Sequence, residues 1–215
     1  MDFAGAYSWP NLRYLLEGFL VTLEVAALAI LLSFVIAIIV AIIRYTKIPV
    51  LSQLLFVWVE MIRNLPLLLI IFFVYFALRD VGIKLGVFSA AVVGLTIFES
   101  AMISEVVRSG LMSVDKGQIE AARASGLTYG QALRYIILPQ ALRRMIPPIV
   151  SQFISLLKDT SLAIIIALPE LMHNGQVIYN TNYSYVIPIL LLIALLYFVV
   201  NFSLSLIARR LEHSR

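Results

Sequence analysis

Residues 120–139 read EAARASGLTYGQALRYIILP, a polar, helix-prone insert in an otherwise apolar chain. Ala121, Ala122, Ala124, Gln131, Ala132, Leu133 and Arg134 are good helix formers, and Gly126 interrupts them where a left-handed residue turns the chain. The pattern predicts two short helices joined by a bend. Thr128 and Gln131 have the spacing of a capping box, so the second helix starts at Thr128 and is expected to stop before Pro139.

Outside the insert the chain is oily. Its mean hydropathy is +1.00, with 62% hydrophobic and 13% charged residues, and its apolar runs exceed the length of about 18 residues that marks a membrane span. This is the composition of an all-α integral membrane protein. Spans are expected at about residues 15–43, 50–78, 86–107, 147–168 and 186–208, which gives one membrane domain over residues 1–215. The insert covers about residues 116–139, between spans three and four. Pro66 is expected to kink or break span two, and Pro147 and Pro148 suit the first turn of span four. The lead from Phe3 to Arg13 carries Tyr7 and Trp9, with Tyr14 just beyond, all suited to a membrane interface. With only Arg13 as a cation it is a poor signal peptide, so span one is expected to be retained.

Charge sets the orientation. With the N-terminus outside, eleven cations fall on the cytoplasmic side: Arg44, Lys47, Arg108, Lys116, Arg123, Arg134, Arg143, Arg144, Arg209, Arg210 and Arg215. Only Arg13, Arg79 and Lys84 fall outside, so the positive-inside rule places the insert in the cytoplasm. The net charge of +4 therefore belongs to loops between spans and implies no nucleic-acid partner. The absence of cysteine excludes disulfide and thiolate chemistry, and His173 has no second histidine or carboxylate cluster beside it with which to hold a metal.

Seven ionisable residues lie within the expected spans: Glu24, Glu60, Arg63, Glu99, Glu105, Lys158 and Asp159. Each costs about 2.5–3.5 kcal/mol at a helix centre unless paired or wetted, so all are expected to face inward. At helical spacing Thr96, Glu99, Ser100 and Ser104 share one side of span three, and Ser151, Gln152, Ser155, Lys158 and Asp159 share about a third of span four. Counting about 1.5 Å per residue puts Glu99 about 13 Å from Arg108 and Asp159 about 18 Å from Pro147, both near the membrane centre. Internal pairing is the other reading for Glu60 with Arg63, Glu105 with Arg108, and Lys158 with its neighbours. Five carboxylates against two cations leave an excess of negative charge, which leans toward a basic amino-acid substrate without excluding glutamine or glutamate.

The spaced residues Glu120, Ala121, Ala122, Gly126, Ile136, Leu138 and Pro139 resemble the EAA pattern of ABC-transporter permeases. The resemblance extends along nearly the whole chain. Residues 63–68 (RNLPLL), 101–109 (AMISEVVRS) and 158–162 (KDTSL) are similar to segments of the polar amino-acid uptake permeases of the histidine, arginine and glutamine type. Met102, Ser109 and Leu65 depart from that pattern. The resemblance implies two five-span permease subunits, identical or paralogous, around a translocation path, two ATPase subunits below them and an extracytoplasmic binding protein above. It implies docking of the ATPase on Glu120, Ala121, Ala122, Gly126, Leu138 and Pro139. The expected path lining is Glu99, Asp159, Lys158, Ser100, Ser155, Thr160, Ser161 and Asn64. No phosphate-binding glycine loop is present, so ATP and Mg are expected to act through the partner ATPase.

Two other classes fit less well. A secondary transporter typically shows internal repeats, and none is convincing here. An intramembrane enzyme needs paired aspartates or histidines on facing spans, whereas the expected spans hold one aspartate and no histidine. The polar residues 169–185, with His173, Asn174, Gln176, Asn180 and Asn182, are expected to form either a contact surface for the binding protein or a solvated loop.

Overall fold

The computed structural model describes residues 1–213, with side chains described to residue 210. Arg215, one of the charges used for orientation, lies outside the described residues. A single turn, α1 (Phe3–Ala6), is capped by Asp2, whose side chain accepts from the backbone N–H of Gly5. It leads into α2 (Trp9–Tyr45), in which Gly18, Thr22, Ala26, Ala29, Ser33, Ala37 and Ala41 recur at three- or four-residue steps and are all buried. Small side chains on one stripe let the next helix approach closely. Leu20, Leu28, Leu31, Val35 and Ile39 face outward from the same helix. Its 37 residues reach about 55 Å, well beyond a hydrocarbon core of about 30 Å.

The second span is broken into α3 (Leu51–Arg63) and α4 (Leu67–Asp80), bent by 106°. Pro66 causes the break, because it has no N–H to donate and its own backbone is extended, at φ −61° and ψ 130°. Asn64 closes α3, its side-chain Nδ2 donating to the Glu60 carbonyl at 2.7 Å. The broken expectation for span two therefore holds, as a corner rather than a kink.

The central helix is α5 (Val87–Met112), which packs against α2, α3 and α4 and buries residues from Ala90 to Leu111 on several faces. After α6 (Lys116–Ala124), the chain enters α7 (Tyr129–Ile166), which runs on through the membrane. Two sequence expectations are corrected here. The second helix of the insert does not stop before Pro139, and Pro147 and Pro148 do not lie in the first turn of a helix. Leu133–Ile137 form a π-turn immediately before Leu138 and Pro139, and this wider turn carries the helix past a proline ring that a regular α-helix would not admit. Pro147 and Pro148 sit inside the continuous helix, where the carbonyls they leave without a donor belong to the exposed residues Arg143 and Arg144.

At its other end α7 tightens into a 3-10 stretch, Thr160–Ile166, and Ala167 turns the chain with φ 57°. Residues 169–185 are not a solvated loop. They form α8 (Leu171–Thr181), which buries Leu171, Asn174, Gly175 and Ile178 and packs against α2 and α9 (Val186–His213). The apolar residues of this segment fall on one helical face, and Gly18 of α2 makes room for it. A Cβ on Gly18 would lie 2.7 Å from Asn174 Nδ2 and 2.9 Å from the Glu170 carbonyl carbon. Within the described residues the molecule is an all-helical fold with four helices long and apolar enough to cross a membrane and one bent pair that would make a fifth span.

Candidate functional site

The insert folds as a corner whose polar groups are satisfied locally. Asp115 starts α6 by accepting from the Gly117 N–H at 2.7 Å. At the other end Leu127 N–H donates to the Ala122 carbonyl and Gly126 N–H to the Arg123 carbonyl, at 3.1 and 3.0 Å, the paired bonds that close a helix on a left-handed residue. Gly126 holds φ +87°. A Cβ there would meet nothing within 4 Å, so glycine is required by backbone conformation and not by crowding. Thr128 and Gln131 form the expected capping box, with Gln131 N–H on Thr128 Oγ1 at 3.2 Å and Thr128 N–H on Gln131 Oε1 at 2.8 Å.

The apolar side of this corner is anchored. Ala122 and Ala132 are buried, and Ile137 packs with Ile103, Val107 and Leu111 of α5 and with Met145 further along α7. Arg144 donates to the carbonyl and the hydroxyl oxygen of Ser113, tying α7 to the end of α5. Glu120, Ala121, Gly126 and Pro139 are exposed, and Leu138 is half-buried. The result is a rigid corner with its helical spacing facing outward and its root set between the two central spans.

The residues expected to line the path separate into two groups. Glu99 of α5 is 1% exposed, and its Oε1 has no hydrogen-bond partner; Thr96 Oγ1, one turn away, is equally unpartnered. Half-buried Asp159 of α7 lies near enough to act on Glu99 electrostatically. The two carboxylates thus lie within electrostatic range of each other, with no hydrogen bond between them. Ser100 and Thr160 are buried beside them, but each hydroxyl donates to its own helix, to Ile97 and Leu157 respectively. Ser155 is half-buried, and Ser161 donates to the Lys158 carbonyl. Lys158 and Asn64 are exposed, as are Glu24 and Arg63, so not every intramembrane charge turns inward within one chain. Lys158 makes no ion pair among the described residues.

Two expected pairs form. Arg63 donates to Glu60 at 3.1 Å, and Arg108 donates from Nε to both Glu105 oxygens at 3.1 Å. Arg44 was read as a loop charge, yet it is buried and donates to Glu105 at 2.8 Å. Glu170 was missed altogether. It is fully buried and caps α8, accepting from the backbone N–H of Met172 at 2.9 Å and of His173 at 2.8 Å. Burial pushes its carboxyl up to about 7, against the lowering effect of those hydrogen bonds. A glutamate just ahead of an amphipathic segment was the signal available for it.

A family model described as binding-protein-dependent transport system inner membrane component matches residues 33–214. The probable glutamine ABC transporter permease protein GlnP of Bacillus subtilis is 66% identical over 214 residues, covering 99% of this chain and 98% of that protein. The probable glutamine ABC transporter permease protein GlnM of the same organism is 41% identical over 210 residues, covering 96% and 97%. Among solved structures, the crystal structure of an amino acid ABC transporter with histidines matches at a TM-score of 0.93 and 29% identity, covering 100% of this chain and 99% of that one. The anchored corner, the spans and these matches agree: the chain belongs to the binding-protein-dependent transport system inner membrane components, as a multi-pass ABC permease of the polar amino-acid type in the bacterial inner membrane.

Proposed function

We propose that this chain is the membrane subunit of an ATP-driven glutamine importer. The observation that carries the substrate is the 66% identity, across 99% of the chain, to a probable glutamine permease. The lean toward basic amino acids rested on an excess of intramembrane carboxylates, and the geometry removes most of that excess. Glu105 is neutralised by two arginines, Glu60 is paired with Arg63, and Glu24 faces out of the bundle. Only Glu99 and Asp159 remain, about what the ammonium group of any amino acid needs.

In this reading a second permease subunit completes the path, and the occurrence of two similar probable glutamine permease proteins, GlnP and GlnM, in one organism supports a paralogue for that place. A binding protein delivers substrate on the side of α8, and an ATPase dimer docks on the exposed residues Glu120, Ala121 and Gly126, in the cytoplasm. This chain hydrolyses no ATP. Closure of the ATPase dimer moves the corner as a body, and α5 and α7 shift with it. Glu99 is sealed in the present conformation, so it meets substrate only when α5 and α7 part, and Asp159, Lys158 and Ser155 then share the opened surface with it.

The test is ATP-dependent uptake of labelled glutamine into proteoliposomes holding the permease pair, its ATPase and its binding protein. Uptake that excess unlabelled glutamine abolishes and excess arginine leaves intact supports the reading. Uptake of arginine or lysine in preference to glutamine overturns the substrate. Glu99→Gln should lower the rate of uptake while leaving binding-protein affinity for glutamine unchanged; an unchanged rate in an assembled transporter removes Glu99 from the path.

A further inference from the structure

The end of the bundle that carries the insert holds more positive charge than its own carboxylates balance. Glu105 is shared by Arg44, from the last turn of α2, and Arg108, from α5. The Arg44 side chain is only 5% exposed, and its guanidinium sits 5.5 Å from the centre of the Phe56 ring of α3. Glu60 also acts on Arg108 but is itself paired with Arg63, so three guanidinium groups share two carboxylates and one positive charge is left over beside the buried Arg44, where an anion is worth most.

Two adjoining clefts open onto these arginines. The larger, about 510 Å³, is lined by Arg44, Lys47, Arg108, Lys116, Glu120 and Tyr129 among others. The smaller, about 280 Å³, shares Arg44, Lys47 and Arg108 and adds Ser52, Gln53 and Phe56. Neither Lys47 nor Lys116 makes an ion pair among the described residues. Lys116 is the first residue of α6, where a cation opposes the helix dipole, so helix stability does not account for it. Lys47 holds φ 53° and Val50 φ 64°, and a β-branched residue in that region is strained. From this loop Lys47 lines both clefts.

The rim separates a lipid from a free anion. Ile48, Val50, Leu51 and Leu54 are exposed beside Lys47, continuous with the outward-facing Ile39 and Ile42 of α2. A soluble phosphate has no use for that surface, whereas acyl chains do. We propose that these clefts bind the headgroup of an anionic phospholipid of the phosphatidylglycerol class. Arg44 and Arg108, oriented by Glu105, supply guanidinium donors to the phosphate; Lys47 and Lys116 supply ammonium groups, and the apolar rim receives the chains.

The complex of permease and ATPase is reconstituted into phosphatidylcholine nanodiscs with or without phosphatidylglycerol, then released into detergent, and retained phosphatidylglycerol is counted by native mass spectrometry. Lys47→Asn, which suits a left-handed backbone, and Lys116→Gln should each weaken retention about fivefold and leave the Arg44–Glu105–Arg108 group intact. Arg143→Gln, an exposed cation outside both clefts, should change nothing. Unchanged retention in both lysine variants overturns the site, and equal loss with Arg143→Gln reduces it to diffuse surface charge. Displacement of the lipid by inorganic phosphate makes it a free-anion site and overturns the lipid assignment. Retention by the permease alone, with loss once the ATPase binds, gives the surface to the ATPase instead.

Discussion

The chain turns at each end of α7, and the two turns are built in opposite ways. At the insert, Ser125 to Thr128 are exposed or half-buried, and every bond that closes the turn comes from within about six residues. At the far end, Ala167 to Glu170 lead into a buried cap. Glu170 accepts there from Met172 and His173 and lies 3.5 Å from Thr22 Oγ1 and 3.4 Å from Tyr197 OH, partners on two other helices. A turn that satisfies itself is free to present its surface to another protein. A turn that leans on its neighbours instead fixes α8 against α2 and α9.

That contrast breaks first at Gly18, the contact on which the buried turn rests. Gly18→Leu would drive a side chain into Asn174 and the Glu170 backbone, and overpacking of this severity should cost upward of about 3 kcal/mol. Size-exclusion chromatography of the fluorescently tagged protein should show loss of the folded peak. Glu170→Ala comes next. It leaves two half-buried N–H groups without an acceptor and should lower stability by about 1–3 kcal/mol, read as a drop in thermal midpoint in detergent.

The same group sets a pH dependence. Its folded carboxyl titrates at about 7 against an ordinary value of 4.5, so the folded chain holds a proton that the unfolded chain releases across that window. Stability should therefore fall as pH rises from about 4.5 to about 7 and level off above it, and Glu170→Gln should flatten that slope.

The exposed turn should respond differently. Gly126→Asp carries a backbone strain of about 1–2 kcal/mol with no clash, so the protein should insert and fold normally. Its defect should appear in coupling, as loss of substrate-stimulated ATPase activity, and Glu120→Lys should act alike. Normal coupling in both variants would deny the corner its role as docking surface. The smallest effect is expected at Arg13–Glu17, an exposed pair four residues apart at 2.9 Å. Arg13→Gln should change stability by about 0.5 kcal/mol or less in the same melt.

What the sequence revealed follows the same division. The Thr128–Gln131 box, the turn at Gly126, the break at Pro66, and the pairs Glu60–Arg63 and Glu105–Arg108 all rest on residues three or so apart, where spacing alone fixes the contact. Glu99 and Asp159 were expected on facing helices from their spacing and depth, and they lie within electrostatic range of each other. Arg44 escaped because its partner is 61 residues away, and Glu170 because its environment is made by Thr22, 148 residues earlier, and Tyr197. Pro139, Pro147 and Pro148 misled because a proline marks a helix end only when no π-turn or exposed carbonyl accommodates it. The polar count in residues 169–185 hid the apolar face of α8.

The most direct measurement is ATPase activity of the reconstituted permease pair, ATPase and binding protein, titrated with glutamine, glutamate, arginine, lysine and histidine. Glutamine should stimulate most strongly, and Gly126→Asp should abolish that stimulation in a complex that still assembles. Stimulation by arginine and lysine without a response to glutamine, or full stimulation in the Gly126→Asp complex, would contradict the account.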